Sequence, residues 1–575
     1  MVTTALAPIK RKWIGRKAQE YKWMEIAEKF HIHPLVARIL VARDIYNELH
    51  VEEHLRTDRT GIYSPNLLHD IDKTVQRIRQ AVERNERIHI VGDYDVDGTC
   101  ATAILVKVLR AIGANPTYHI PSRFTEGYGL SIDVVEECAR TGVHLLITVD
   151  TGITAIEQAL RVKELGVSDL IVTDHHHFAN ELPKTFATVH PRYPRSYYPE
   201  KNLCGAGVAF KIAQALLERV PDELFDLVAL ATVSDQVPLL DENRVLVREG
   251  LRQMNHNPSL GVQALLAVTG LDKQRVTSTH IAFQLGPRIN SMGRLKHAKR
   301  VVEMFLTDDP DEAYAIAEEL NDLNQFRKSI QERMEQEALE QIEANPHWLE
   351  KKTLTVFGAD FNEGLVGIVA GRLAERFHKP TLCLAKNGDM AKGSGRSIRG
   401  YDLHRSLAED VQGKYGLFYA FGGHEAAAGF SLELKDVEKL REAFWDAGDE
   451  AWNKEIPEAN YTADAPLELK DLNITLVDEL KRLEPYGQQN PEPIFFVPYA
   501  KVWDVNTMGA GHEHLRITLE DEIGRLHTIV AFGRGQDLRQ WERNSVHRLL
   551  VTVQENVRNG QRRVQLQLVD VRKLS

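Results

Sequence analysis

From about residue 76 the chain alternates short apolar runs with longer amphipathic stretches. The apolar runs predict strands over 87–92, 117–120, 145–149 and 170–173. Between them, helical spacing predicts helices over 99–112, 132–140 and 155–165, closed by Gly113, Gly142 and Gly166. Alternation of this kind implies a parallel sheet covered by helices on both faces, with ligands bound beyond the carboxyl ends of the strands. Upstream, residues 14–75 read as short helices punctuated by Pro34, Gly61 and Pro65. Downstream, Asp309 and Pro310 make a helix start, and 311–344 runs almost free of breakers to Asn345-Pro346. That helix is either a spacer between two bodies or an element packed along one of them. A second strand–helix–strand pattern follows over 353–357, 365–377 and 381–385. After a polar stretch near 455–463 come five short strands without long helices between them, over 495–503, 514–519, 526–532, 548–553 and 564–568, the pattern of a small antiparallel barrel.

The predicted class is therefore α/β: two α/β domains joined by a long helix, plus a C-terminal OB-like β-barrel. The divisions fall at 1–75 (helical segment), 76–305, 306–346 (long helix), 347–457 and 458–575. At 575 residues, several domains are required. Four scattered cysteines without a CxxC pair exclude a structural thiolate zinc site and fit a reducing compartment, so a cytoplasmic protein is expected. The N-terminus lacks the apolar core of a leader, and no run is long enough for a membrane span. A net charge of -11 argues against a protein coated in nucleic acid. The barrel region differs, with ten basic and four acidic residues from Arg525 to Lys573. That is either a nucleic-acid surface or a solvated face.

Chemistry concentrates at the predicted strand ends. Asp93, Asp95 and Asp97 stand at alternate positions before Gly98, where an extended chain would turn all three to one face. A calcium EF-hand would need a bidentate Glu at the twelfth loop position, which is Ile104. Asp150 follows the apolar run 145–149, Asp174-His175-His176 follows 170–173, and Asp235 follows 227–233, read here as the fourth strand end that carries such ligands. Carboxylates and imidazoles gathered at one sheet edge suit two divalent cations of the manganese or magnesium kind.

GDYDVDG (92–98), VDTG (149–152), TDHH (173–176) and SDQVPL (234–239) resemble the four successive motifs of the DHH phosphoesterase superfamily. Together with GPRINSMGRL (286–295), GSGRS (393–397) and GGHEAAAG (422–429), the chain resembles the bacterial RecJ family of single-strand-specific DNA exonucleases. One departure is Phe178-Ala179, where that family has a Pro-containing turn after the two histidines.

The resemblance implies a DHH domain, a DHHA1-like domain and an OB-fold. It implies two bound Mn2+ or Mg2+ ions, with Asp93 and Asp95 on the first, Asp150 bridging, and Asp97, His175 and Asp235 on the second. His176 would lie beside the scissile phosphate. Arg123, Ser394 and Arg396, with His424 alongside, would hold a terminal phosphate, and Arg288, Asn290 and Arg294 would touch the strand near the cut. The implied activity is 5′→3′ release of mononucleotides from single-stranded DNA in repair and recombination, by a monomer that cooperates with single-strand-binding protein and a helicase. Two alternatives stand beside it: a DHH phosphoesterase acting on short oligonucleotides or nucleotide phosphates, and a non-catalytic DNA-binding scaffold.

Overall fold

In the computed structural model, residues 11–574 are described apart from 124, 128, 167–168, 179–180, 453–455 and 559. Ala179, one of the two residues that depart from the family pattern after the histidines, therefore lies outside the described residues. The chain forms two compact units, one of Ile14–Asn321 with Thr462–Ser575, the other of Asp322–Tyr461 with the N-terminal residues up to Trp13.

The first unit is built on a five-stranded sheet with the order Thr117–His119, Ile88–Val91, Leu145–Val149, Asp169–Thr173 and Ala187–Val189. All four pairings are parallel. Val91 pairs with Thr148 and Val149 with Thr173, so the residues after these three strands emerge together at one edge. The chain goes from the Ile88–Val91 strand to a neighbour on one side, then crosses back to Leu145–Val149 on the other. That reversal creates the crevice where such sheets bind ligands. The last strand, only three residues long, carries no periodicity of its own and is absent from the sequence reading.

Asp235 does not follow a strand, contrary to the expectation from sequence. The apolar run before it is not a strand but part of the buried helix Phe225–Ser234. A short continuous apolar run reads the same for a buried strand and a buried helix. Asp235 caps this helix at its C-terminus.

The same unit contains the barrel. Phe495–Met508, His514–Glu520, Leu526–Ala531, Gln561–Lys573 and Val546–Arg558 pair in that order, and the last closes on the first. The N-terminal helices do not stand apart: Val36, Ile39, Leu40 and Val51 share one core with barrel residues such as Val497, Ile517 and Leu549. Arg43 adds a two-point ion pair to Asp464, at 2.9 and 3.1 Å.

The second unit holds a five-stranded sheet with the order Phe418–His424, Ala427–Glu433, Met390–Arg396, Thr381–Asn387 and Leu354–Gly358, parallel only in its last pair. The long helix spans Pro310–Ala344, 35 residues. Its later turns bury Met334, Ala338 and Ile342 in this unit's core, so they pack rather than merely space. Among the described residues no helix is long and apolar enough to cross a membrane.

Candidate metal centre

The Asp93–Asp97 segment leaves its strand and turns at once into the helix Val96–Ala111. Asp95 caps that helix, its Oδ1 accepting from Gly98 N at 3.0 Å. A Cβ on Gly98 would lie 2.6 Å from Asp93 Cα and Cβ, so this glycine lets the helix close on the first carboxylate. Asp150 sits in the left-handed region, at φ 60°, and Gly152 follows at φ 105°. A non-glycine residue held there is strained, and such strain gathers at functional sites.

These turns bring the strand ends together. Ligand-type atoms of Asp93, Asp95 and Asp150 lie within 4.8 Å of one another, as do those of Asp97, His175 and Asp235, and those of Asp150, His175 and His176. His175 Nε2 is 3.1 Å from Asp150 Oδ1, 3.5 Å from Asp97 Oδ2 and 3.7 Å from Asp235 Oδ2. Asp150 thus stands between an all-carboxylate group and one containing an imidazole.

The electrostatics ask for cations. Burial, then the neighbouring Asp95, pushes the Asp93 carboxyl well above the usual range. Burial, then Asp97, does the same to Asp150. Asp97 is also raised, mainly by burial. Asp235 is pushed up to about 9 by burial and then by Asp97 and Asp95. Buried like charges cannot all ionise without a compensating positive charge. Asp93 Oδ1 and His175 Nε2 are buried without a hydrogen-bond partner, an arrangement that costs free energy unless something binds there. His175 is drawn down to about 4, chiefly by burial, and is a neutral imidazole at pH 7. Neutral imidazole with carboxylate oxygens is a donor set for hard divalent cations. The residues fit such ions.

Two supports escaped the sequence reading. Asp97 accepts the backbone N–H of Gly205 at 2.6 Å and of Ala206 at 2.7 Å, at the N-terminus of the helix Gly205–Leu217. Asp174 accepts from the backbone N–H of Ile153, His175 and His176 and from His176 Nδ1, at 2.7–3.0 Å. Burial disfavours the His176 imidazolium, but the hydrogen bond and charge of Asp174 outweigh it and hold the pKa up to about 9. His176 therefore carries a proton at neutral pH, with its ring half exposed beside the cluster.

The helix Gly286–Leu295 closes this site. A Cβ on Gly286 would lie 2.6 Å from Ser234 Oγ, and one on Gly293 would lie 2.5 Å from the Tyr94 carbonyl. Asn290 falls between these contacts on the same helical face, with Arg294 one turn on. Arg288 points elsewhere: its guanidinium donates to Gln284 O at 2.8 Å and to Asn321 Oδ1 at 3.1 Å. Arg123 lies exposed over the Tyr94 ring, 5.5 Å from its centroid.

Ser394, Arg396 and His424 belong to the second unit. Ser394 and Arg396 lie on the strand Met390–Arg396, and His424 ends the strand Phe418–His424. Arg396 Nη1 donates to Ser394 Oγ at 2.9 Å. A Cβ on Gly367 would lie 2.8 Å from the Arg396 guanidinium and 3.0 Å from Ser394 Oγ. Gly367 is the second residue of the helix Val366–Phe377, so the pair sits at a helix N-terminus, a natural seat for a phosphate. His424 is two strands across: Ala427 pairs with both His424 and Arg396.

On the barrel, part of the basic excess is engaged internally, with Arg562 paired to Asp478 and Glu555, and Arg525 to Asp521. Arg543 lies over the exposed ring of Trp503, 5.0 Å from its centroid.

Comparison with known proteins agrees with this anatomy. The DHH family N-terminal domain matches residues 87–232, the DHHA1 domain 350–448 and the RecJ OB domain 463–570. The chain is 37% identical over 529 residues to the single-stranded-DNA-specific exonuclease RecJ of Bacillus subtilis, covering 92% of this chain and 66% of that protein. It is 33% identical over 562 residues to the protein of the same description from Salmonella typhimurium, covering 94% and 96%. The crystal structure of RecJ in complex with Mn2+ from Thermus thermophilus superposes with a TM-score of 0.81 at 29% identity, covering 98% of this chain and 80% of that one. With its three domains matched in order and one relative covered almost end to end, the chain belongs to the RecJ family.

Proposed function

We propose that this chain hydrolyses single-stranded DNA from its 5′ end and releases 5′-mononucleotides. It is a metal-dependent, single-stranded-DNA-specific exonuclease. The observation that carries the reading is the paired cluster, with Asp93, Asp95 and Asp150 on one side and Asp97, His175 and Asp235 on the other. Two Mn2+ or Mg2+ ions held there would lower the pKa of water and stabilise charge on the attacking and leaving oxygens. The chain's own residues do the rest. Gly205 and Ala206 fix Asp97 by backbone donation, and Asp174 fixes the His176 ring. His176, protonated at neutral pH, donates to the scissile phosphate or to the leaving 3′-oxygen. Asn290 and Arg294 hold the strand against the cluster. Arg123 takes the terminal phosphate near the cluster, and Ser394 with Arg396, joined by His424, forms a second phosphate seat.

The barrel supports a long-strand substrate over the alternative of short oligonucleotides, because exposed Trp503 with Arg543 offers stacking and charge together. The populated cluster speaks against a non-catalytic scaffold. We further propose a monomer working in a reducing cytoplasm, to which four free, buried cysteines are suited, alongside a helicase and single-strand-binding protein. A degradation assay on 5′- and 3′-labelled strands and a matched duplex tests the reading. Label released first from the 5′ end, and none from duplex, is the expected result.

A further inference from the structure

We propose that Phe283 is a base-stacking platform for the retained strand, about three nucleotides beyond the cut. This rests on the reading that the terminal phosphate lies at Arg123. Phe283 is 76% exposed, while Ile281 and Leu285 beside it are fully buried and anchor its turn. That turn, Ile281–Leu285, is π-helical and runs straight into the helix Gly286–Leu295. Local π-helix is rare and concentrates at functional sites.

A single exposed phenyl ring is common on protein surfaces. The direction of the helix makes this one different. Spacings of three, four and seven residues put Pro287, Asn290 and Arg294 along one stripe of the α-helix, and Phe283 stands on the π-helical turn that leads into it. The Arg294 end of this stripe abuts Tyr94, since Gly293 packs on the Tyr94 carbonyl, and Arg123 stacks on that ring. The other end passes Ser234, next to Asp235. A strand whose 5′ phosphate lies at Arg123 crosses the carboxylate cluster and leaves along the stripe towards Phe283. Phe283 stands seven residues from Asn290, roughly 10 Å or a little less along the axis, because the π-helical part of that path rises less per residue than an α-helix. That is about three base steps of ~3.4 Å if the strand stays stacked, and fewer if it is extended. A phenyl face stacks on any base, which suits an enzyme that must accept every sequence.

The test uses the full chain with Mn2+, comparing the parent with Phe283→Ala and Phe283→Tyr on 5′-phosphorylated oligothymidylates. For a ten-nucleotide strand, Phe283→Ala is expected to raise KM at least about five-fold, while Phe283→Tyr stays near the parent. On a dinucleotide, too short to reach the ring, all three enzymes should have the same kcat/KM. A 2-aminopurine third or fourth from the 5′ end should be quenched by the parent and not by Phe283→Ala. Equal KM values on the ten-nucleotide strand overturn the proposal. So does an equal loss on both lengths, which would make the ring a support for the helix. Failure of the parent to degrade single strands from the 5′ end overturns instead the functional reading beneath it.

Discussion

The backbone N–H of Gly205 donates to Asp97 Oδ2 at 2.6 Å, and the Cα of the same glycine lies against Asp150. A Cβ added there would meet Asp150 Oδ1 at 2.5 Å. One residue thus holds one carboxylate of the cluster by hydrogen bonding and leaves room for another. Gly205→Ala should displace Asp150 and lower kcat by about 100-fold or more, since small misplacements at a reacting centre cost that much. The fold should survive with a loss of about 1–3 kcal/mol, as for other overpacked sites. Circular dichroism beside steady-state rates checks both parts.

Asp174 sets the charge of His176. In the metal-free protein, titration of the His176 ring by NMR should give a midpoint near 9. In Asp174→Asn it should fall towards the ordinary value of about 6.5. If His176 is the proton donor proposed above, the alkaline limb of the rate profile should move to lower pH in the same variant, because that proton would be lost earlier.

The raised carboxylates make metal binding a proton-releasing step. Asp235, with a folded pKa of about 9, holds its proton at neutral pH without metal. A divalent ion needs the ionised form, so affinity for Mn2+ should rise with pH up to about 9, roughly ten-fold per unit for each proton released. The stability of the metal-free protein runs the opposite way. A carboxyl with a raised folded pKa contributes fully below its unfolded value, 3.8 for Asp235, and that contribution is lost as pH rises through the folded pKa. Metal-free Tm should therefore fall from pH 5 to pH 9, and added Mn2+ should restore more of it at pH 9 than at pH 6. Calorimetry in buffers of different ionisation enthalpy counts the protons.

Arg244 ties the catalytic body to the segment that leads into the barrel. Buried, it donates to the carbonyls of His54, Leu483 and Arg482 at 2.9–3.0 Å. Charged hydrogen bonds are worth about 1.5–3 kcal/mol each and are not additive. Arg244→Ala should cost about 3 kcal/mol or more and lower the unfolding midpoint in urea. Removal of 461–575 should be worse, because the N-terminal helices lose the core they share with the barrel. A point variant on the barrel surface, such as Trp503→Ala, separates long-strand binding from folding more cleanly than truncation does.

Much of this was legible in the chain. The inner parallel strands Ile88–Val91, Leu145–Val149 and Asp169–Thr173 were readable because each is short, mostly apolar and soon followed by a polar group, so Asp93, Asp150 and His175 could be placed at one edge from spacing alone, whereas the edge strand Ala187–Val189 was not. Asp235 was found by its position after an apolar run, although the run is a helix. The partners of these residues were hidden. Gly205 donates to Asp97 across 108 residues, and Arg43 pairs with Asp464 across 421. Neither leaves a local trace, because a backbone N–H has no sequence signature and a long-range ion pair has no period. Arg288, in the same motif as Asn290 and Arg294, differs from them by the face of the helix it occupies, which a motif does not reveal.

Paired carboxylates at this sheet edge are proposed to hold the cations that cleave single-stranded DNA. Release of labelled nucleotide from the 5′ end of a single strand, with Mn2+ and with chelator, by the parent and by Asp97→Ala, tests this most directly. Mononucleotide should appear only with the parent and Mn2+, while Asp97→Ala binds the strand about as well and releases nothing. Cleavage that persists in chelator, or in Asp97→Ala, would contradict it.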